Sequence, residues 1–234
     1  MNWNQARLST AAQASVDERS AFLVRTYTHL VGAVFAFVAL EAVLFVTGIA
    51  PAIAKTVLGA GGMAWLLVLG AFIAVSYVAD KWARNGASLG KQYAGLGLYI
   101  VAEALIFVPL LFMAASYGGE GVIGTAAITT LVLFGGLTGV VFITRKDFSF
   151  LRGILMLGGF AALGLILVSA LVGFSLGTFF AWAMIALAAG YVLYNTSNVL
   201  HHYRTDQHVS AALSLFATVA LMFYYVLTLL MSRD

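Results

Sequence analysis

The sequence predicts an all-α integral membrane protein, a seven-transmembrane-helix bundle, and three observations carry that prediction. Of the 234 residues, 62% are hydrophobic and only 9% charged, against about 25% charged in soluble domains; so few charges cannot coat a water-facing globule. The mean hydropathy is +1.00. The apolar residues fall into runs of about 20, the length that crosses a ~30 Å hydrocarbon core as a helix, and in lipid a helix satisfies its own backbone hydrogen bonds.

The chain opens on a polar stretch, residues 1–27, holding Arg7, Asp17, Glu18, Arg19 and Arg25 without the apolar core of a cleavable signal peptide. It is expected to be a cytoplasmic N-terminal tail, followed by a single transmembrane domain over residues 28–231. The first span covers Thr28 to Gly48 and the second Gly62 to Ala79. The third, Gln92 to Ser116, contains Pro109, and the fourth runs from Gly121 to Ile143. From Gly153 to Tyr203 no Asp, Glu, Lys or Arg occurs, a stretch too long for one helix. The cluster Gly173-Phe174-Ser175-Leu176-Gly177 divides it into helices at Phe150 to Val172 and Leu176 to Leu200. The seventh span covers Ser210 to Met231.

Lys and Arg set the orientation, because cytoplasmic loops near span ends collect them. Seven spans place Arg7, Arg19, Arg25, Lys81, Arg84, Lys91, Arg145, Lys146, Arg152 and Arg204 on one side, and Lys55 and Arg233 on the other. That division puts the N-terminus in the cytoplasm and the C-terminus in the periplasm. The net charge of +3 then follows from topology and contact with the lipid bilayer, and calls for no nucleic-acid partner. Small-residue clusters at Gly135-Gly136 with Gly139, Gly158-Gly159 and Ala186 to Gly190 mark close helix packing.

Polar side chains inside the spans are the candidate functional residues. Glu103 lies near the middle of the third span, where an ionised acid costs about 3 kcal/mol to insert, and Pro109 six residues on removes a backbone hydrogen bond. Glu103 is either a hydrogen-bonded structural group or part of an ion or proton path. Glu41, toward the outer end of the first span, has the same two readings. Tyr191, Tyr194, Asn195 and Asn198 recur at i, i+3, i+4 and i+7 and share one helix face. Ser210, Ser214 and Thr218 do the same on the next helix. A short loop between these helices turns both stripes toward a shared interior, as interhelical hydrogen bonds or as the lining of a narrow hydrated path.

Catalytic and metal chemistry find little support. The G-x-S-x-G pattern around Ser175 needs a histidine within reach, yet His201 lies 26 residues further on, about 39 Å along a helix. No predicted span contains an aspartate for an intramembrane aspartyl protease. His201, His202 and His208 gather no thiolate, since the chain has no cysteine, and Asp206 is the one acid nearby, so they read as interfacial histidines and no metal or cofactor is expected.

Three segments then point to a family: Arg145-Lys146-Asp147-Phe148-Ser149-Phe150-Leu151, Tyr194-Asn195-Thr196-Ser197-Asn198 and Ala211-Ala212-Leu213-Ser214-Leu215-Phe216. With Glu103-Ala104-Leu105-Ile106-Phe107-Val108-Pro109, they resemble in order the Bax inhibitor-1 (TMBIM) family, in its bacterial inner-membrane branch, over nearly the whole chain. The resemblance implies a pH-sensitive calcium leak closed by two aspartates on the last two helices. Those positions are Asn195 and Thr218 here. Neither titrates near neutral pH, so the proton switch is expected to be lost or moved, leaving Glu103 as the deep titratable group and calcium as a permeant ion. The resemblance also implies a second role, in stress or quality control, in which a membrane-bound AAA protease is the partner and the polar N-terminal tail is a handle.

Overall fold

The computed structural model describes residues 10–84 and 88–232. They form eight helices: α1 (Val16–Val46), α2 (Ile49–Gly59), α3 (Gly61–Ala83), α4 (Leu89–Tyr117), α5 (Val122–Thr144), α6 (Leu151–Val172), α7 (Gly177–His201) and α8 (His208–Met231). All except α2 are long and apolar enough to cross a membrane. The all-α, seven-span architecture expected from the sequence is the one found.

Two differences from the sequence reading change the picture of the N-terminal third. The first helix begins twelve residues before Thr28 (Val16 against Thr28), so much of the expected tail is helix. Ser15 caps it: its hydroxyl accepts from the Glu18 backbone N–H, and the Glu18 carboxylate accepts from the Ser15 N–H, both at 3.3 Å. This capping box stands in the sequence as Ser-x-x-Glu; hydropathy passes over it because three turns of α1 lie outside the apolar run. The second difference is α2, an 11-residue helix in what reads as a loop. At about 16 Å it is too short to span a bilayer. Gly48 opens it at φ +77°, and Pro51 falls in its first turn, where a missing N–H costs nothing.

The bundle is organised around α8, which packs against α1, α3, α4, α5 and α7. With α4 it is the most buried of the spans, while α3 and α6 expose most of their surface to the surroundings. Where these helices meet, Phe107 stacks on Phe223 with ring centroids 5.7 Å apart, and Phe37 meets Phe107 edge-on at 5.2 Å. Some predicted small-residue contacts set helix spacing. A Cβ on Gly158 would lie 2.7 Å from Leu187, and one on Gly190 would lie 2.7 Å from Leu155, so α6 and α7 interlock there. A Cβ added at Gly135, Gly136 or Gly139 on α5 would meet nothing within 4 Å, so these glycines do not set a helix spacing.

Gly173 and Gly177, both at positive φ, form the α6–α7 connection. Ser175 is exposed there, at the opposite end of α7 from His201.

Candidate functional site

The α7–α8 interface carries the polar stripes. Thr218 donates its hydroxyl proton to the Ser214 carbonyl, one turn earlier, at 2.8 Å. Its oxygen is then free to accept, and the Asn195 side-chain amide donates to it at 2.8 Å. Ser214 follows the same logic: its hydroxyl donates to the Ser210 carbonyl at 3.2 Å and accepts from the Tyr203 hydroxyl at 2.8 Å. The interface therefore holds two directional relays, each ending on a backbone carbonyl of α8.

Asn195, Ser214 and Thr218 line a cavity of about 1240 Å³ between α3, α4, α6, α7 and α8. Glu103 lines it too, only 5% exposed, with the Tyr99 hydroxyl, one turn earlier, close to its carboxyl. Tyr191 lines it as well, donating to the Leu155 carbonyl of α6 at 3.1 Å. Of the residues singled out in the sequence, Glu103, Asn195, Ser214 and Thr218 thus share one space. Tyr194 and Asn198 lie off it: Tyr194 is close to Arg84, and the Asn198 carbonyl ends α7 by accepting from the His202 and Tyr203 N–H groups. Glu41 is also elsewhere. It is buried on α1 one turn beyond Phe37, with no hydrogen-bond partner for either carboxylate oxygen.

Asp80 was missed. Helix α3 runs to Ala83, four residues past the predicted end of the second span, and carries Asp80 to the cavity wall, where Arg84 pairs with it at 2.8 Å. The expectation that no span contains an aspartate therefore fails. The i, i+4 spacing of Asp80 and Arg84 was the available signal.

Beside the cavity, the loop between α5 and α6 is fastened to α7. Ser149 N–H donates to Asp147 at 2.8 Å, Ser197 Oγ donates to the same carboxylate at 3.3 Å, and His202 Nε2 meets its other oxygen at 3.0 Å. The Phe148 N–H closes the set by donating to Ser197 Oγ at 2.8 Å. The Ser149 N–H, followed by the Ser149 and His202 side chains, holds the Asp147 carboxyl below the usual carboxylate range. Arg145 opens this loop at φ +50°. At the same end of the bundle, Ala11 N–H donates to the Tyr203 carbonyl at 2.8 Å and Thr10 bridges Arg204. Among the described residues no three His, Asp or Glu side chains converge as a metal-binding set.

A polytopic helix bundle with a carboxylate-bearing cavity beneath its last two helices is the class of protein that fold and site define. Residues 19–234 match the family described as inhibitor of apoptosis-promoting Bax1, and the chain belongs to that Bax inhibitor-1 family. Its relatives are widely spread. An uncharacterized protein of Pseudomonas aeruginosa is 31% identical over 50% of this chain and 52% of its own length. The modulator of FtsH protease YccA of Escherichia coli is 29% identical over 78% of this chain and 83% of its own. Protein LIFEGUARD 4 of Arabidopsis thaliana is 31% identical over 94% of this chain and 88% of its own. The match to the Pseudomonas relative thus spans about half of that protein.

Proposed function

We propose that the protein is a non-enzymatic, multi-pass component of a bacterial inner (plasma) membrane that modulates a membrane-bound AAA protease in membrane-protein quality control. The observation that carries this reading is the match to the Escherichia coli modulator of FtsH protease, which extends over 83% of that relative. The end of the bundle that holds Arg19, Arg84, Arg145 and Arg204 faces the cytoplasm in this reading, following the distribution of basic residues. A protease domain on that side would meet the Asp147 loop, the α7–α8 loop and the N-terminal segment together. The test is co-purification of the intact protein with the protease after cross-linking, alongside the half-life of a membrane-protein substrate. Overproduction should lengthen that half-life; no co-purification and an unchanged half-life would refute the proposal.

A second reading, a cation leak with altered gating, is favoured by one feature of the cavity. Glu103 and Asp80 line it, Asp80 paired with Arg84 at 2.8 Å, and among the described residues no Lys, Arg or His does, so the Glu103 carboxyl is the acidic group left to favour cations. Calcium flux into dye-loaded proteoliposomes from about pH 6 to 8, a range in which neither Asn195 nor Thr218 titrates, separates the cases. The native chain is expected to leak without strong pH dependence, and Asn195→Asp with Thr218→Asp should add one. No flux from either folded protein removes this reading.

A further inference from the structure

The cavity has walls unlike those of a hydrated ion path. Trp65, Leu69 and Phe72 of α3, Phe107 and Leu110 of α4 and Phe180 of α7 make much of its lining. A calcium ion replaces its hydration shell with six to eight oxygens, and this apolar part of the lining offers none. Among the described residues the acidic groups on the lining are Glu103 and Asp80, and Asp80 is paired with Arg84 at 2.8 Å. Glu103 is almost fully buried, and Asp80, its side chain 37% exposed, sits near the end of α3. A further lining group, the Ser76 hydroxyl, is buried without a hydrogen-bond partner.

An apolar space with few polar groups placed to fix orientation is the general build of a small-molecule site, commonly of about 300–1,000 Å³, and this one reaches about 1240 Å³. Anions gain nothing from the Glu103 carboxyl. Neutral apolar molecules gain the burial but make no use of the Glu103 carboxyl. A cation whose charge is spread over an apolar body has little hydration to lose, gains the burial of that body, and can place its charge over aromatic faces. We propose that the cavity binds hydrophobic monovalent organic cations, of the quaternary ammonium or phosphonium class, with the charge beside Glu103 and Tyr99 and the body against Trp65, Phe72 and Phe107. This site is independent of the protease reading and requires no ion flux.

The test is equilibrium binding of radiolabelled tetraphenylphosphonium to the intact protein in lipid nanodiscs, with empty nanodiscs as background and tetraphenylborate as an anion of the same shape. Saturable binding of the phosphonium but not the borate is expected. Glu103→Gln should weaken it by about tenfold or more, equivalent to about 1.4 kcal/mol, and Glu103→Asp should retain it. Asp80→Asn, a change at a partly exposed side chain, should weaken it less. Phosphonium binding no greater than to empty nanodiscs, equal binding of both ions, or affinity unchanged in both neutralised variants would overturn the proposal. The first two outcomes are read on the native chain, so a variant that fails to assemble does not shield it.

Discussion

Asn195 and Thr218 face each other across the α7–α8 interface at 2.8 Å, and the direction of their hydrogen bond is fixed from outside the pair. Thr218 spends its one proton on the Ser214 carbonyl, so Asn195 must be the donor. Thr218→Val removes the acceptor and should destabilise the protein by about 1 kcal/mol in a detergent-unfolding titration. Asn195→Leu added to it should cost less than Asn195→Leu alone. Strictly additive costs would mean that the two side chains are not coupled.

The loop fastened by Asp147 should release in acid. Its carboxyl is held below the usual range, chiefly by the Ser149 N–H. The stabilisation it gives is therefore complete above its unfolded value, about 3.9, and fades as the pH falls through its lower folded value. Hydrogen exchange of the 145–150 segment should rise over that acid window, and Asp147→Asn should show the faster exchange already at neutral pH. Exchange that is independent of both would show that the loop is held by other contacts.

Two glycines in neighbouring helices should respond oppositely to a methyl group. A Cβ on Gly95 would sit 2.5 Å from the Ala79 carbonyl oxygen and 2.6 Å from the Ala83 nitrogen, both backbone atoms that cannot turn aside. Gly95→Ala should push α3 from α4 and cost about 1–3 kcal/mol. Gly136→Ala meets nothing and should be neutral or stabilising by up to about 1 kcal/mol, since glycine weakens a helix interior. Thermal unfolding of the two variants side by side checks both signs.

Arg19 fastens the N-terminal segment by donating to the Ala11 carbonyl at 2.6 Å and the Ala12 carbonyl at 2.7 Å. Arg19→Ala should free that segment from the α7–α8 loop. The buried Ala11 amide, which donates to Tyr203, should then exchange about tenfold faster, a loss of about 1.4 kcal/mol of protection. Unchanged exchange would show that the Thr10 to Arg204 bridge holds the segment alone.

The spans were legible because crossing lipid demands long apolar runs, and the relation of Asn195 to Thr218 because helical periodicity places both on facing stripes. Three features were less legible, each for a physical reason. The N-terminal turns of α1 are polar and rest on a capping box rather than on hydropathy. Helix α2 is too short to register as a span. Asp80 lies beyond the apolar run of α3 yet within its helix, so a boundary drawn by hydropathy leaves it in a loop. Periodicity also over-reached: Tyr194 and Asn198 share the stripe in the sequence, but only part of that face borders the cavity.

Because α8 is the hub of the bundle and follows every helix it packs against, the order of assembly is constrained. Synthesis proceeds from the N-terminus, so α1, α3, α4, α5 and α7 all precede the element against which they pack. Until α8 arrives, Asn195 has no Thr218 to bind and the aromatic face around Phe107 has no Phe223. A chain cut short before residue 208 therefore lacks the partners of its polar stripe and of the Phe107 ring. Such a nascent chain is itself a defective membrane protein of the kind that quality-control proteases remove.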